Sequence, residues 1–478
     1  MPMKFNALLK RFREGNATNL AGGKAFAESQ KTELVSILLT SQLEDQFYRS
    51  GDATAERLKQ LIAAEPDKKF VAKAAVYARQ EAGMRSVSHL VASELVRSVK
   101  GEQWTKRFLE KVVRRPDDVL EILACYLATY GRPIPNALKK GLGAALARFD
   151  EYQVAKYRRE SAEIKLVDAV NLLHPPNSEA LGKLVHDKLA PAETWEVKLT
   201  QAGAEAADKD EAEVLKADAW AELIRSRKLG YFALLRNLRN ILAQAPEVVD
   251  EVLSLLVDDT LIRKSLVLPF RYLTALEALE AGNLPRAGEV IAALSEAVDK
   301  SLANVPVFAG RTLVALDGSG SMQGKPLKVG ALFASVLLKA NATDLMIFSD
   351  DANYLTANRR DSTLTLAKVI ESKAPGRGTN FHAVFEMANK AYDRIILLSD
   401  MQGWMGGLAP TAAFEKYKRR TGASPKVFSF DLQGYGTLQF PERDIFCLSG
   451  FSEKTLEMLK FLECDKSALI RKIEEVQL

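Results

Sequence analysis

The sequence predicts an α + α/β protein in two parts: stacked helical pairs over residues 1–305, then a doubly wound parallel sheet over 306–478. Three observations predict it. Apolar residues recur at helical spacing through the first three hundred positions, punctuated by Gly, Pro and Asp. After "NVPVFAG", strand-like apolar runs alternate with helix-like ones, the pattern of a sheet covered by helices. Two of those strands, "TLVALD" and "IILLSD", end in a carboxylate, at the strand end where such sheets bind ligands.

In the first part, "TKRFLEKVVRRPDDVLEILACYLATYG" reads as two helices parted at Pro116 and ended at Gly131. "PDKKFVAKAAVYARQEAGM" and "FRYLTALEALEAGN" have the same grammar. Helices of this length with short breaks suggest an α-solenoid, although no strict period repeats; a plain helical bundle is the alternative. In the second part the expected strands are "TLVALD", "DLMIFS", "DRIILLSD", "KVFSFDL" and "IFCLSG". The expected helices are "PLKVGALFASVLLKAN", "STLTLAKVIES", "NFHAVFEMANKAY", "TAAFEKYKRR" and "EKTLEMLKFLE".

Composition bounds the function. The chain has 478 residues, 47% hydrophobic and 27% charged, too long for one ordinary core and ordinary for a globular protein. No run of about 18 apolar residues occurs, so no membrane helix is expected. The N-terminal stretch lacks the features of a signal peptide. Cys125, Cys447 and Cys464 are few and scattered, which suits a reducing cytoplasm and argues against a disulfide framework. His89, His174, His186 and His382 form no zinc-ligand pattern. The net charge of +5 is compatible with an anionic partner.

The loop "DGSGSMQGK" after the first strand invites three readings. A P-loop would need Gly where Ser319 stands and Ser or Thr where Pro326 stands; a dinucleotide loop would need Gly at Gln323. An aspartyl-phosphate enzyme would want an acid at Ser319. Metal binding survives. Mg²⁺ takes about six oxygens near 2.0–2.1 Å, and Asp317, Ser319 and Ser321, with Thr379 in "GRGTNF" and Asp400 in "IILLSD", offer oxygens on three loops. The competing reading is a plain polar turn.

Asp317-x-Ser319-x-Ser321, then Thr379, then Asp400 resembles the metal-ion-dependent adhesion site of von Willebrand factor A domains. The resemblance implies a divalent ion, which a partner's carboxylate may complete.

The helical part carries basic clusters. From Arg132 to Lys165 eight Lys/Arg stand against four acids, and Lys100 to Arg115 adds six against two. Tyr152, Tyr157 and Trp104 lie among them, and His174 follows. Such helix edges neutralise phosphates and stack unpaired bases; the alternative is a solvated face.

"RSVSHL", "IPNALKKGL", "FDEYQVAKYR", "LVDAVNLLHPPNSEAL", "FALLRNLRNI" and "LPFRYLTALEAL" occur in order and resemble the TROVE module of the Ro autoantigen family, over residues 25–300. The resemblance implies a monomeric ring of HEAT-like helical repeats closed by the A domain. It also implies a non-enzymatic protein that binds small non-coding Y RNA on a basic outer surface and single-stranded ends of misfolded RNA in a central hole. In bacteria the role is that of an RNA-processing adaptor, a Y RNA tethering an exoribonuclease such as polynucleotide phosphorylase. Carried onto this sequence, the RNA-contacting positions are Lys156 and His174; charge adds Lys139, Lys140, Arg158 and Arg159, and Arg85 and His89 are candidates for the hole. The metal set stays Asp317, Ser319, Ser321, Thr379 and Asp400, with Mg²⁺ as the expected ion. Two other functions compete: a scaffold whose A domain captures an acidic partner through the metal, and a metal-dependent hydrolase, for which His382 is a weak base.

Overall fold

The computed structural model describes residues 15–41, 43–45, 49–99, 102–158, 162–190, 194–265, 267, 269–407, 409–440, 445–449 and 468–478. Arg159 and the expected helix "EKTLEMLKFLE" lie outside the described residues. The chain divides into two compact units: residues 1–192, 400–409 and 429–478 form one, and 193–399 with 410–428 form the other. None of the described helices is long and apolar enough to cross a membrane.

The first unit opens with a small antiparallel sheet of β1 (Ala17–Thr18) and β2 (Lys24–Ala27). β2 pairs with a strand from the far end of the chain, Phe26 opposite Leu438 and Ala27 opposite Thr437. Helices follow at Gln30–Thr40, Gly51–Ala64, Lys68–Gln80, Ser86–Ser98, Trp104–Val112, Pro116–Tyr130, Asn136–Ala147, Glu151–Lys156, Leu166–Leu173 and Glu179–Val185. The helix Pro116–Tyr130 shows why they start and stop where they do. Pro116 enters at the first turn, Asp117 and Asp118 face its N-terminal dipole, and Gly131 ends it at φ 64°.

Asp118 has a second task. Fully buried, it accepts bonds from Arg79 at 2.7 Å and Arg85 at 2.9 Å and meets His89 Nε2 at 3.1 Å. It also accepts from the backbone N–H groups of Arg114 and Arg115. Burial by itself would push its carboxyl up; the His89 bond and the Arg79 charge overcome that and hold it well below the usual carboxylate range. Beside it, Asp117 receives Arg85 and Arg115. The network ties the helices Lys68–Gln80, Ser86–Ser98 and Pro116–Tyr130 together at one buried point.

The second unit begins with helices Trp195–Glu205, Lys209–Arg225, Tyr231–Gln244, Val249–Leu256, Asp259–Ser265, Pro269–Glu280 and Ala287–Ser301. Its sheet is built from β3 (Thr312–Asp317), β4 (Thr343–Phe348), β5 (Ala352–Leu355), β6 (Arg394–Ser399) and the first half of β7 (Lys426–Asp431), in the order β5-β4-β3-β6-β7. β3 runs parallel to both β4 and β6, with Asp317 level with Phe348. Every residue of β3 and β6 is buried, as continuous apolar strands require. The remaining strands, β8 (Thr437–Leu438) and β9 (Phe446–Ser449), fall in the first unit. The helices Lys325–Ala340, Thr363–Ser372, Phe381–Met387 and Thr411–Thr421 match the expected runs. One difference is β5, which makes the sheet mixed: it pairs antiparallel with β4. A tight turn in which Ser349 N–H donates to Asp351 C=O, 2.7 Å, makes the hairpin. The four-residue strand is too short and too polar to stand out in the sequence.

Replacing Asp118 by Asn leaves the buried Arg79 without its charge partner. The expected cost is about 3–5 kcal/mol, measured by urea unfolding at pH 7. Because the folded-state carboxyl is depressed, its contribution is complete above the unfolded value of about 3.9 and fades as pH falls through the folded value. The gap between wild type and variant therefore narrows below about pH 4; a gap unchanged with pH would assign the loss to packing.

Candidate nucleic-acid interface and metal site

The metal-site loops of the second unit are drawn together by backbone bonds. Gly376 N–H donates to Gly318 C=O at 2.8 Å, and Gly320 N–H donates to Arg377 C=O at 3.0 Å. A Cβ at Gly318 would stand 3.0 Å from Ala374 Cα, so this contact needs glycine. Asp317 accepts from Ser319 N–H at 2.9 Å and from Ser399 Oγ at 2.5 Å. The hydroxyls of Ser319 and Ser321 are 3.3 Å apart. Thr379 is buried between two ties to Ser349: Ser349 Oγ donates to Gly378 C=O at 2.8 Å, and Asn380 N–H donates to Ser349 C=O at 2.7 Å.

These side chains fit a hard cation. Ligands at right angles around an ion with bonds of about 2.1 Å stand about 3.0 Å apart, close to the separation of the two serine hydroxyls. The donors are oxygens, and no cluster of three or more His, Cys, Asp or Glu side chains able to hold a metal occurs among the described residues. Asp400, the residue after Ser399, belongs to the first unit. There it is buried and accepts from Gln402 N–H at 3.1 Å. Burial pushes the carboxyl of Asp431 up to about 7, against the N–H groups of Gln433 and Gly434; the Asp400 charge pushes it the same way.

Lys139, Lys140, Lys156, Arg158 and His174 sit on or just past the helices Asn136–Ala147, Glu151–Lys156 and Leu166–Leu173 of the first unit, which pack in one cluster with Glu179–Val185. Lys140 and Lys156 are exposed and Lys139 half-buried on them. The short helix of Lys156 is set by a capping box, Gln153 N–H donating to Asp150 at 2.7 Å. The Lys156 ammonium lies 5.9 Å from the rings of both Tyr152 and Tyr157, and the Arg115 guanidinium 5.0 Å from Tyr157. Arg158 pairs with Asp187 at 2.9 Å.

His174 ends the helix Leu166–Leu173 in the left-handed region, φ 48°, and is exposed. Its turn is braced by Gly143, where a Cβ would stand 3.2 Å from Pro175 Cα and 3.5 Å from Leu173 O. Any side chain there would push the His174–Pro175 turn outward. Arg85 and His89 lie in the Asp117–Asp118 network, His89 buried and Arg85 bonded to both carboxylates. These bonds tie helices together.

The structure adds neighbours that the sequence reading passed over. A depression of about 490 Å³ is lined by Asn177, Ser178, Lys183, His186 and Lys188, among others. Lys183 bridges Glu151 at 2.6 Å and Glu179 at 2.9 Å, tying the helix of Lys156 to the helix after His174. The signal available in the sequence was the basic spacing of "GKLVHDK", masked by the acids around it.

Comparison with known proteins gives the chain a family. The model of the TROVE domain matches residues 31–184 and 162–304. The chain is similar to telomerase protein component 1 of Rattus norvegicus, 25% identical over 195 residues, which take in 38% of this chain and 7% of that protein's length. It therefore spans a small fraction of that relative. Its fold is similar to the crystal structure of the Ro (RSR) protein of Deinococcus radiodurans, with a TM-score of 0.61 and 20% identity, covering 90% of this chain and 100% of that one. The chain belongs to the TROVE domain family and has the fold of a Ro protein.

Proposed function

We propose that this chain is a cytoplasmic, non-enzymatic RNA-binding protein of the Ro type. It binds a small structured RNA, of the Y RNA kind, on the basic surface around Lys139, Lys140, Lys156 and His174. Single-stranded ends of misfolded RNA enter a ring of helical repeats that the A domain closes. In this reading the protein is a monomer that acts in RNA quality control or processing beside an exoribonuclease such as polynucleotide phosphorylase.

The observation that carries the reading is the His174 turn. An exposed imidazole is held in a left-handed conformation, braced by Gly143, on the same helical cluster as an exposed lysine flanked by two tyrosine rings. A solvated charge face needs no such positioning; phosphate neutralisation with base stacking does. The expectation is that Lys156→Ala with His174→Ala weakens structured RNA binding while the thermal unfolding midpoint stays put. Each lost phosphate contact lowers the log–log salt slope by about 0.7–0.9. Filter binding across a salt series checks it, and an unchanged affinity and slope would remove this surface from the proposal.

The same reading gives the protein a divalent ion, most simply Mg²⁺, held by Asp317, Ser319, Ser321 and Thr379, with Asp400 added from the sequence resemblance. Such an ion, ligated largely by neutral hydroxyls, supplies an electrophilic centre for an acidic ligand. Asp317→Ala is expected to abolish Mg²⁺ binding in calorimetry and to leave RNA affinity unchanged; intact Mg²⁺ affinity would refute the site. A second reading makes the protein a scaffold that captures an acidic partner there. In that reading a carboxylate of the partner completes the shell around the ion.

A further inference from the structure

The helix Tyr231–Gln244, in the second unit, is amphipathic in an unusual way. Its inner face is Tyr231, Leu234, Leu235, Leu238, Ile241 and Leu242, all buried. Its outer face carries Phe232, Arg236, Arg239 and Asn240, all exposed. At 3.6 residues per turn these four fall within roughly a quarter of the circumference. The helix contains two arginines and no acid, and among the described residues neither Arg236 nor Arg239 makes an ion pair.

Phe232 is 49% exposed. A solvent-facing phenylalanine forgoes the gain of burial, yet this one is held firmly. The neighbouring Tyr231 is buried, its hydroxyl donating to Leu256 C=O at 2.8 Å and meeting the Tyr272 hydroxyl at 3.1 Å. Burial, first of all, pushes both phenols up, Tyr272 to about 12. This pair locks the helix against Pro269–Glu280, on which Arg271 directly precedes Tyr272. Arg271 is thereby set 5.6 Å from the Phe232 ring centroid. The result is an aromatic face with a guanidinium across it and two further arginines, one and two turns along the helix.

We propose that this stripe, Phe232 with Arg271, Arg236 and Arg239, is a second nucleic-acid contact, separate from the Lys156–His174 surface, and that it takes unpaired RNA. A base stacks on Phe232, supported by the Arg271 guanidinium. The following phosphates meet Arg236 and Arg239, which step about 6 and 4.5 Å along the helix axis, and Asn240 stands beside them as a polar contact. The chemistry favours a single strand over other anions. A membrane-bound helix would present a broad apolar face, and this outer face has one aromatic. A duplex hides its base faces, so Phe232 would find nothing to stack on.

The inference rests on the RNA-binding reading, and the test separates the two. The full chain is titrated against a fluorescein-labelled ten-nucleotide oligouridylate by anisotropy, with a structured hairpin RNA measured in parallel. Phe232→Ala is expected to weaken oligouridylate binding roughly tenfold, with its salt slope and the hairpin affinity unchanged; Phe232→Tyr restores it. Arg236→Gln with Arg239→Gln is expected to lower the oligouridylate salt slope by about 1.4, two phosphates of single strand. Because all three side chains are exposed, circular dichroism melts should superimpose. If these variants bind oligouridylate like wild type while Lys156→Ala with His174→Ala loses hairpin RNA, the stripe is refuted and the RNA reading stands. Wild-type protein that binds neither RNA overturns both. Loss of poly-glutamate binding in the variants, with oligouridylate binding intact, reassigns the stripe to acidic proteins and also refutes the proposal.

Discussion

A carboxylate removed from water must have its charge answered inside the protein, and in the first unit the Asp118 network does this. One buried oxygen pair receives Arg79, Arg85, His89 and two backbone N–H groups. Three helices therefore meet at fixed depth and rotation. Apolar packing alone tolerates slippage, because hydrophobic contact is not directional; a multiply bonded ion does not. The helices that follow in the chain, including those of the basic cluster, continue from this anchored group.

The second unit treats its buried carboxylate differently. Asp317 is as deeply buried as Asp118, and among its bonds are those from Ser319 N–H and Ser399 Oγ, both neutral donors. Arginines around Asp118 make it a strut. Hydroxyls and amides around Asp317 arrange oxygens at a spacing that suits an ion. The glycines make this possible, since Gly318 packs against Ala374 with no room for a side chain. Both arrangements follow from burying one acid; the neighbours decide what the acid does.

Exposed aromatic residues distinguish the RNA candidates from ordinary charged surface. Lys156 stands between two tyrosines, and Phe232 stands beside Arg271. Buried structure fixes the neighbouring groups: Gly143 lies against the His174–Pro175 turn, and the Tyr231–Tyr272 hydroxyl contact holds the helix that carries Phe232. A surface that had only to stay soluble would leave such side chains mobile and would bury the rings.

Local pattern was enough for much of this protein. Continuous apolar runs announced β3, β4, β6 and β7, because a strand buried on both faces must be apolar throughout. Pro116 and Gly131 marked the ends of their helix, since each acts through its own backbone dihedrals. The Asp317–Ser321 loop was legible because its spacing is short-range, and the TROVE stretches because their order is a property of the chain. Other features depend on partners far apart in sequence and were decided only by tertiary structure. β2 pairs with β8 across some four hundred residues. Arg85 and His89 bond to Asp117 and Asp118, about thirty residues away, contacts that no local pattern announces. Phe232 meets Arg271 because the Tyr231–Tyr272 contact holds their two helices together, some forty residues apart in the chain. A side chain's local pattern reports what it prefers; which charge or ring it meets is settled by packing, which brings residues together regardless of their distance along the chain.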